Sequence, residues 1–232
     1  MSFIPYESRY KAGEILAGLH KNKNSMEVND FNSIVFTIPN GGVPVAEGFC
    51  RMLNIKYNLL IVRKIKIPYN PEAGFGSITT DGTILLNEQL LSRIYLKTNV
   101  IERSIESTKA EIRERLNYYN VPLNQEESYN KSIPGKNVFI MDDGLASGYT
   151  MLAGIKMIQK YHAQKIIIAV PTAPYHTIEN IKKEVDIDDI ICPNIRKTSW
   201  FAVADAYKHW YDVQDSEVLE IIKKSKYYLG SS

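Results

Sequence analysis

Apolar residues along the chain follow two alternating patterns, short unbroken runs and longer stretches with helical spacing. The runs 33–38, 57–62, 138–141, 166–170 and 189–192 are rich in Val, Ile, Leu and Phe, which is typical of strands buried on both faces of a sheet. Between them, apolar residues recur every three or four positions, as expected for helices that cover a sheet. This alternation predicts an α/β fold with a mostly parallel central sheet flanked by helices.

The helices predicted by this spacing each have an apolar stripe along one side. In the longest, Asn99 and Glu102 have the spacing of an N-cap pair, and Glu111 and Arg115 have that of an i,i+4 ion pair. This helix could form a lid scaffold or a dimer face, but packing of its stripe into the core is the simpler interpretation. The expected helices cover 7–20, a segment from Pro44, 87–96, 99–119, a segment from about Thr150, 175–185 and 215–228.

Segments rich in Gly, Pro and polar residues are predicted to connect these elements. Residues 77–86 are expected to form a hairpin around Asp81-Gly82, a dipeptide that favours a type I′ turn. The remaining connections are expected to be loops or polar linkers at 65–76, 122–137, 171–174 and 193–199.

The length of 232 residues suits one α/β domain with a hood or an insertion. We expect a single domain over 1–232, with a core at about 30–195 and a hood with a closing helix at about 196–232. Hydrophobic residues make up 44% and charged residues 23% of the chain, as in ordinary globular proteins. The net charge of +2 gives no electrostatic case for binding nucleic acid or an anionic membrane.

The cysteine and hydropathy patterns favour a reducing compartment, and we expect a cytoplasmic protein. Cys50 and Cys192 lie in or beside apolar runs, and two cysteines do not make a disulfide framework. No apolar run approaches the roughly 20 residues of a membrane helix. The first residues include Glu7, Arg9 and Lys11, which is unlike a signal peptide.

The most informative stretch begins where the run 138–141 meets two carboxylates, Asp142 and Asp143. Small residues follow, and a helical pattern begins near Thr150. Such a junction lies at the carboxyl end of a parallel strand, where open α/β sheets bind ligands. Backbone N–H groups of a loop without bulky side chains, helped by the positive end of the helix, can hold a phosphate. The hydroxyls of Ser147 and Thr150 can donate to the same oxygens.

The two aspartates are suited to a pair of sugar hydroxyls or to a hydrated metal ion. A plainer interpretation is a strand that ends in an Asp-Gly turn before a helix, where Asp, Gly and Ser are common for local reasons. That interpretation accounts for Asp143 and Gly144, but not for a second aspartate joined to Gly, Ser, Gly and Thr in this order. We therefore favour a phosphosugar site. No Gly-Lys-Ser/Thr follows, so the loop is not a P-loop.

A second strand–loop–helix junction follows the run 33–38. Residues 39–44 read Pro-Asn-Gly-Gly-Val-Pro, and Pro44 fits the first position of a helix. The double glycine, Gly41-Gly42, can let the backbone approach a ligand closely. The alternative is a tight turn before a helix.

The stretch 138–150, Val-Phe-Ile-Met-Asp-Asp-Gly-Leu-Ala-Ser-Gly-Tyr-Thr, closely resembles the binding motif for 5-phosphoribosyl-1-pyrophosphate (PRPP) in type I phosphoribosyltransferases. The resemblance implies the type I fold, with a small hood and a flexible loop or hairpin. It implies that Asp142 and Asp143 face the ribose 2′- and 3′-hydroxyls and reach Mg²⁺ indirectly, through water or ribose. The residues implied to hold the 5-phosphate are Gly144, Ala146, Ser147, Gly148, Tyr149 and Thr150.

Two further segments resemble the family less closely. The pyrophosphate loop resembled by 39–44 usually reads Pro-Arg-Gly-Gly-Val-Pro, so the neutral amide of Asn40 replaces a guanidinium. The segment 65–76 resembles a flexible loop that closes over the reaction centre and excludes water. The family also carries an Arg-Lys pair before this loop, although a solvated strand end explains either residue alone nearly as well. The residues implied to bind pyrophosphate are Asn40, Gly41, Gly42, Arg63 and Lys64.

Near the end of the chain, the resemblance implies a hood that binds the acceptor. Trp200 and Phe201 are candidates to stack on a planar heterocycle, and core packing of one or both is an equal alternative. The implied cofactor is Mg²⁺, and the implied partners are PRPP, a small heterocyclic acceptor and a second copy of the chain in a homodimer.

The function implied is transfer of the 5-phosphoribosyl group from PRPP to a nitrogenous acceptor such as a nucleobase, with release of pyrophosphate. The alternative is a non-catalytic PRPP- or nucleotide-binding regulatory protein on the same fold, which the neutral Asn40 favours somewhat. The sequence does not identify the acceptor.

Overall fold

The computed structural model describes residues 3–23, 27–198 and 200–231. The strands are β1 (Ser33–Thr37), β2 (Tyr57–Leu59), β3 (Val62–Ile67), β4 (Asn70–Thr79), β5 (Ile84–Leu86), β6 (Asn137–Met141), β7 (Lys165–Ala169), β8 (Thr172–Pro174), β9 (Asp189–Ile191) and β10 (Asn194–Arg196). The helices are α1 (Arg9–Lys23), α2 (Gly42–Leu53), α3 (Glu88–Ile94), α4 (Thr98–Tyr118), α5 (Glu126–Ser132), α6 (Tyr149–Gln159), α7 (Tyr175–Glu184) and α8 (Asp215–Lys224), with 3₁₀ turns at Val203–Ala206 and Leu229–Ser231.

The central sheet has five strands in the order β2-β1-β6-β7-β9, and every neighbouring pair is parallel. This arrangement, with helices on both faces, confirms the predicted α/β fold. In the register of β1 and β6, Thr37 lies opposite Met141. The N–H of Ile38 then donates to the carbonyl of Met141 at 2.9 Å. The loops that follow these two strands therefore leave the same edge of the sheet side by side.

The strands of the central sheet are apolar on both faces because each face is covered by helices. Along β6, Val138 and Ile140 belong to a core shared with α5, α6 and α7, whereas Phe139 and Met141 belong to a core shared with α1, α2, α4 and α8. A parallel strand covered in this way cannot alternate apolar and polar residues. The unbroken apolar runs of the sequence are explained by this two-sided burial.

The predicted strand 57–62 is wrong in its extent, since the central-sheet strand β2 ends at Leu59. After it the chain leaves the central sheet and forms a three-stranded antiparallel sheet in the order β3-β4-β5. The segment 65–76, predicted to be a loop, lies largely in strands β3 and β4 of this sheet. The register of β3 with β4 shifts on both sides of Lys66, which pairs with Gly74.

The predicted hairpin at 77–86 is confirmed, but its turn is of another type. The N–H of Gly82 donates to the carbonyl of Thr79 at 2.9 Å, and the Thr79 N–H donates to the Thr83 carbonyl at 3.0 Å. Gly82 has φ +83°, whereas Asp81 has no positive φ. A type I′ turn needs positive φ at both central residues. The loop therefore has three residues and ends at Gly82. The Asp81 carboxylate accepts the Thr83 N–H at 2.9 Å.

Four other local predictions are also corrected. The linker 122–137 contains the short helix α5, and the loops at 171–174 and 193–199 contain β8 and β10, which pair with each other. Helix α4 begins at Thr98, so Asn99 lies inside it and does not cap it. Residue 199 lies outside the described residues.

Among the described residues, no helix is both long enough and apolar enough to cross a membrane.

Candidate functional site

The loops after β1 and β6 touch at the carboxyl edge of the central sheet. A Cβ atom on Gly41 would lie 1.9 Å from Oδ2 of Asp143. A Cβ atom on Gly42 would lie 2.7 Å from Oγ1 of Thr37 and 3.0 Å from Cα of Asp142. A side chain at either position would collide with these atoms, so the double glycine lets the backbone of one loop lie against the acidic pair of the other.

The carboxyl groups of Asp142 and Asp143 are partly buried, and each has one oxygen bonded within the protein. Oδ1 of Asp142 accepts the Asp143 N–H at 2.8 Å, and Oδ2 of Asp143 accepts Nε–H of Arg9 at 2.8 Å. Burial raises the pKa of Asp142 well above its usual range, and the charge of Asp143 raises it further. Burial also raises the pKa of Asp143, although Arg9 opposes this rise. Hydroxyl donors or a cation brought by a ligand would favour the ionised pair.

Arg9, from the first turn of α1, is the buried cation beside the acidic pair. Its side chain is 6% exposed, and its Nη1 donates to the carbonyl of Tyr211 at 2.9 Å. The guanidinium carbon lies 4.1 Å from the ring centroid of Trp210 and 5.4 Å from those of Tyr207 and Tyr211. An ion pair and stacked rings together fix a guanidinium in place. The two ends of the described chain thus set the position of Asp143.

The C-terminal segment also packs directly on the loop after β6. The hydroxyl of Tyr207 donates to the carbonyl of Asp143 at 2.6 Å. A Cβ atom on Gly144 would lie 2.6 Å from Cγ1 of Val203. The N-terminal segment holds this region in turn, because the N–H of Tyr6 donates to the Ala206 carbonyl at 2.8 Å. The backbone of the acidic pair is therefore clamped by residues remote in sequence.

The loop between β6 and α6 has the form expected of a phosphate-binding loop. Gly148 precedes α6 with φ +82°, a left-handed conformation that favours glycine. Ala146 and Ser147 are exposed, and the hydroxyl of Thr177 holds the loop by donating to the Ala146 carbonyl at 2.7 Å. The N–H groups of the first turn of α6 have no partner inside the helix. Contact of this loop with a 5-phosphate stays a prediction.

The side chain of Asn40 is bonded to a buried cluster beside the double glycine. Its Nδ2 donates to the carbonyl of Val213 at 2.7 Å and to Oδ1 of Asp215 at 2.9 Å, and its Oδ1 accepts from Arg115. The Arg115 side chain is 9% exposed. It also donates to Oδ1 of Asp215 and, through Nε, to the hydroxyl of Tyr119 at 3.2 Å. A guanidinium from α4 therefore lies at the position where the sequence supplied only a neutral amide.

Arg115 does not form the predicted i,i+4 pair with Glu111. Its ion-pair partner is Asp215, whereas Glu111 pairs with Nζ of Lys66 at 3.3 Å. The helical spacing is correct, but α4 packs against β3 and approaches the N-terminus of α8. Both side chains consequently find partners outside their own helix.

Arg63 and Lys64 lie on β3, not at the end of a parallel strand as predicted. Neighbouring residues of a strand point to opposite faces, so the two side chains cannot serve one ligand from the same face. Lys64 is exposed and packs across Gly74, whose Cβ atom would lie 2.2 Å from Lys64 Cγ. Arg63 is half-buried. It lines a cavity of about 260 Å³ with Glu111, Glu114, Arg115, Tyr118 and Asp215.

The two candidate stacking residues differ in their surroundings. Trp200 is 89% exposed, and Phe201 is half-buried, so core packing does not explain Trp200. The aromatic rings found beside Asp143 are Tyr207, Trp210 and Tyr211, around Arg9. Stacking of Trp200 or Phe201 on an acceptor stays a prediction.

Sequence reasoning missed Arg9, Arg115 and Asp215 as parts of the site. Arg9 and Asp215 lie near the starts of predicted helices, where charged residues are common. Arg115 has the spacing of an i,i+4 ion pair with Glu111. Each has a sufficient local explanation, so no signal separates it from an ordinary surface charge.

No group of three or more His, Cys, Asp or Glu side chains suited to a metal ion occurs among residues 3–23, 27–198 and 200–231. Mg²⁺ keeps several waters and usually binds through substrate phosphates and one or two carboxylates. Asp142 and Asp143 fit that mode, in which the ion arrives with its substrate.

Comparison with known proteins gives one consistent family. The sequence model of the family described as "Phosphoribosyl transferase domain" matches residues 7–209. Two proteins of Mycobacterium tuberculosis, from strains CDC 1551 and H37Rv and provisionally named phosphoribosyl transferases, are 28% identical over 197 residues. The match covers 83% of this chain and 42% of theirs, so the chain spans about two fifths of the length of these relatives.

Among solved structures, the crystal structure of the protein TT1426 from Thermus thermophilus is similar over almost the whole chain. The TM-score is 0.72 with 25% sequence identity, and the alignment covers 94% of this chain and 97% of that one. This chain therefore shares its overall path with an experimentally determined structure.

Proposed function

The chain belongs to the phosphoribosyl transferase domain family, and from this premise we propose that it transfers the 5-phosphoribosyl group of PRPP to a nitrogenous heterocycle. The observation that supports this most is the contact between the loops after β1 and β6, where Gly41 lies against the Asp143 carboxylate. A double glycine, an acidic pair and the N-terminus of α6 then lie at the same edge of the sheet. Phosphate groups and a ribose between them are the ligand that this combination suits.

The acidic pair binds the ribose in this proposal. One oxygen of each carboxylate is held within the protein, by the Asp143 N–H and by Arg9. The other oxygen of each can accept one of the two neighbouring ribose hydroxyls. Because Arg9 is buried and held by aromatic rings, Asp143 is oriented before the ligand arrives, which lowers the entropy lost on binding.

The loop from Gly144 to Thr150 binds the 5-phosphate through backbone N–H groups and the hydroxyls of Ser147 and Thr150. This phosphate takes no part in the bond changes. Its binding energy instead positions the anomeric carbon relative to the leaving group and the acceptor.

At the anomeric carbon, a ring nitrogen of the acceptor forms the new C–N bond, and the C–O bond to pyrophosphate breaks. Pyrophosphate leaves with the bonding electron pair, so negative charge grows on it while positive charge grows on the sugar. The double glycine places backbone next to the departing group, and buried cations beside that loop stabilise its charge. Mg²⁺ bound to the phosphates of PRPP would supply further positive charge at the leaving group.

Water must be kept away from the sugar cation that develops in such a reaction. We propose that the β3–β4 hairpin limits this access, with Trp200 or Phe201 stacking on the acceptor from the other side. A homodimer, a cytoplasmic location and a single domain over 1–232 belong to the same proposal.

A PRPP- or nucleotide-binding regulatory protein is the second candidate, and Asn40 is the observation that favours it. A neutral amide in the pyrophosphate loop weakens the stabilisation of the leaving group more than it weakens binding. The burial of Arg115 beside Asn40 favours the enzyme instead, because the positive charge is present from another element.

The test is release of pyrophosphate from PRPP and Mg²⁺ across a panel of purine and pyrimidine bases, with a no-base control. Release with one base establishes the transferase and identifies the acceptor. The matched control is the double variant Asp142→Asn, Asp143→Asn, which should fold and lose PRPP binding. PRPP binding without release for any base would favour the regulatory protein, and unchanged PRPP affinity in the double variant would refute the site.

A further inference from the structure

Three hydrogen-bond donors converge on a single carboxylate oxygen next to the double glycine. Oδ1 of Asp215 accepts from the hydroxyl of Tyr119 at 2.8 Å, from Nδ2 of Asn40 at 2.9 Å and from Nη2 of Arg115. Arg115 lies on α4, Tyr119 directly follows that helix, and Asn40 lies in the loop after β1. Asp215 is the first residue of α8. A guanidinium, a phenol and an amide directed at one oxygen form a site for an oxyanion.

The charged donor is buried, whereas the acceptor is partly exposed to solvent. The side chain of Arg115 is 9% exposed, whereas that of Asp215 is 45% exposed. Burial raises the pKa of the Tyr119 hydroxyl, so this group stays a donor at neutral pH. The Asp215 end of this ion pair therefore faces solvent and the Arg115 end is buried, so an incoming anion would approach the donors from the Asp215 side.

Open space adjoins this cluster on two sides. One cavity of about 410 Å³ is lined by Asn40, Arg115 and Asp215, and another of about 260 Å³ by Arg63, Arg115 and Asp215. Arg115, Tyr118 and Asp215 line both cavities. An anion that displaced Asp215 would have room beside a second guanidinium, that of Arg63, in a cavity that Glu111 and Glu114 also line.

The cluster also adjoins the acidic pair through two consecutive residues. Asn40 bonds to Arg115 and Asp215, and Gly41 lies against the Asp143 carboxylate. A ligand whose sugar is held by the acidic pair would extend along the double glycine. Its other end would then reach the three donors that now hydrogen-bond to Asp215.

We propose that Arg115 supplies the positive charge that binds pyrophosphate, and that Asp215 is an internal anion which occupies this binding position until pyrophosphate displaces it. The inference rests on the proposed function, because it assigns the pyrophosphate end of the same site. It also gives a physical reason for Asn40. An arginine at position 40 would place two guanidinium groups against each other, whereas the amide accepts a hydrogen bond from Arg115 and donates one to Asp215.

The experiment titrates inorganic pyrophosphate with Mg²⁺, and separately ribose 5-phosphate, into the wild type and into Asp215→Asn by calorimetry. Asparagine keeps the shape and the accepting oxygen but removes the competing charge. We expect pyrophosphate to bind at least tenfold more tightly to Asp215→Asn, while ribose 5-phosphate affinity changes less than twofold because its phosphate binds elsewhere.

Two further variants test the cation. Arg115→Ala should weaken pyrophosphate binding at least tenfold with ribose 5-phosphate binding retained, which also shows that this variant folds. Arg113→Ala removes an exposed arginine from the same helix and should change neither affinity. Asn40→Arg should not strengthen pyrophosphate binding, since it opposes Arg115.

The outcomes separate the inference from the proposed function. If wild type binds ribose 5-phosphate but pyrophosphate affinity is unchanged or weaker in Asp215→Asn, then Asp215 is a structural ion-pair partner only and the inference is overturned. If wild type binds neither PRPP nor ribose 5-phosphate, the proposed function is overturned and the inference falls with it.

Discussion

Gly41 and Asp143 are in contact across the carboxyl edge of the sheet, such that a Cβ atom on Gly41 would lie 1.9 Å from Asp143 Oδ2. The two residues belong to different strand–loop–helix units, and their contact defines where the two loops meet. Asp143 cannot retreat easily, because Arg9 bonds to the same oxygen at 2.8 Å. Glycine is therefore required at position 41 because the salt bridge to Arg9 holds the Asp143 carboxylate in place.

Replacing Gly41 by Ala should displace the Asp143 carboxylate and weaken PRPP binding at least tenfold, about 1.4 kcal/mol. Gly18→Ala is the matched control, because a Cβ atom there meets nothing within 4 Å and position 18 lies inside α1. That change should leave PRPP affinity unaltered and stabilise the fold by about 0.5–1 kcal/mol. Equal affinity in both variants, measured by calorimetry, would show that the contact is not needed for binding.

Asp142→Asn should raise the melting temperature while it weakens PRPP binding. Because burial raises the pKa of Asp142, the folded state binds this proton more tightly than the unfolded state, and stability is lost as pH rises through the folded pKa. The Asp142→Asn variant has no carboxyl group to ionise at this position, so it does not lose this stability. The difference in melting temperature between variant and wild type should be smallest at acid pH, near the unfolded pKa of about 3.9, and grow towards neutral pH.

A difference in melting temperature that stayed constant with pH would contradict the raised pKa of Asp142. Asp81→Asn provides the contrast, since hydrogen bonds from Thr79 and Thr83 hold the pKa of Asp81 low despite its burial. Ionised Asp81 stabilises the fold above its unfolded pKa. This variant should therefore lose stability relative to wild type as pH rises from acid values.

Arg9→Ala should destabilise the fold by about 3–5 kcal/mol, because it leaves a buried carboxylate without its partner. Urea unfolding measures this loss. In the double variant Arg9→Ala, Asp143→Asn the uncompensated charge is absent, so the cost should be clearly less than the sum of the single changes. Lys11→Ala, whose pair with Glu14 is exposed, should change stability by less than about 0.5 kcal/mol. Additive costs for Arg9 and Asp143 would show that they are energetically independent.

The two tryptophans of the chain allow the acceptor site to be located by fluorescence. In Trp210→Phe the remaining emission comes from the exposed Trp200, and in Trp200→Phe it comes from Trp210 beside Arg9. If Trp200 stacks on the acceptor, the base identified by the release assay should quench emission in Trp210→Phe and little in Trp200→Phe. The reverse pattern would move the acceptor site to the rings around Arg9.

The sequence by itself determined the fold class, the family and the local form of the loops after β1 and β6. These features depend on short segments: apolar runs that need two covered faces, and the uninterrupted stretch 138–150 in which strand, acidic pair and helix start are contiguous. Backbone geometry over a dozen residues is set largely by those residues. The family match over 7–209 agrees with what that stretch indicated.

Only the tertiary structure decided which charges stand beside these loops. Arg9 and Asp143 are 134 residues apart, Arg115 and Asp215 are 100 apart, and Asn40 and Asp215 are 175 apart. Each of these residues has an adequate local explanation, so its partner cannot be derived from spacing. Such pairs form because the central sheet brings separate strand ends to one edge, where burial makes an unpaired charge costly and so selects the partners.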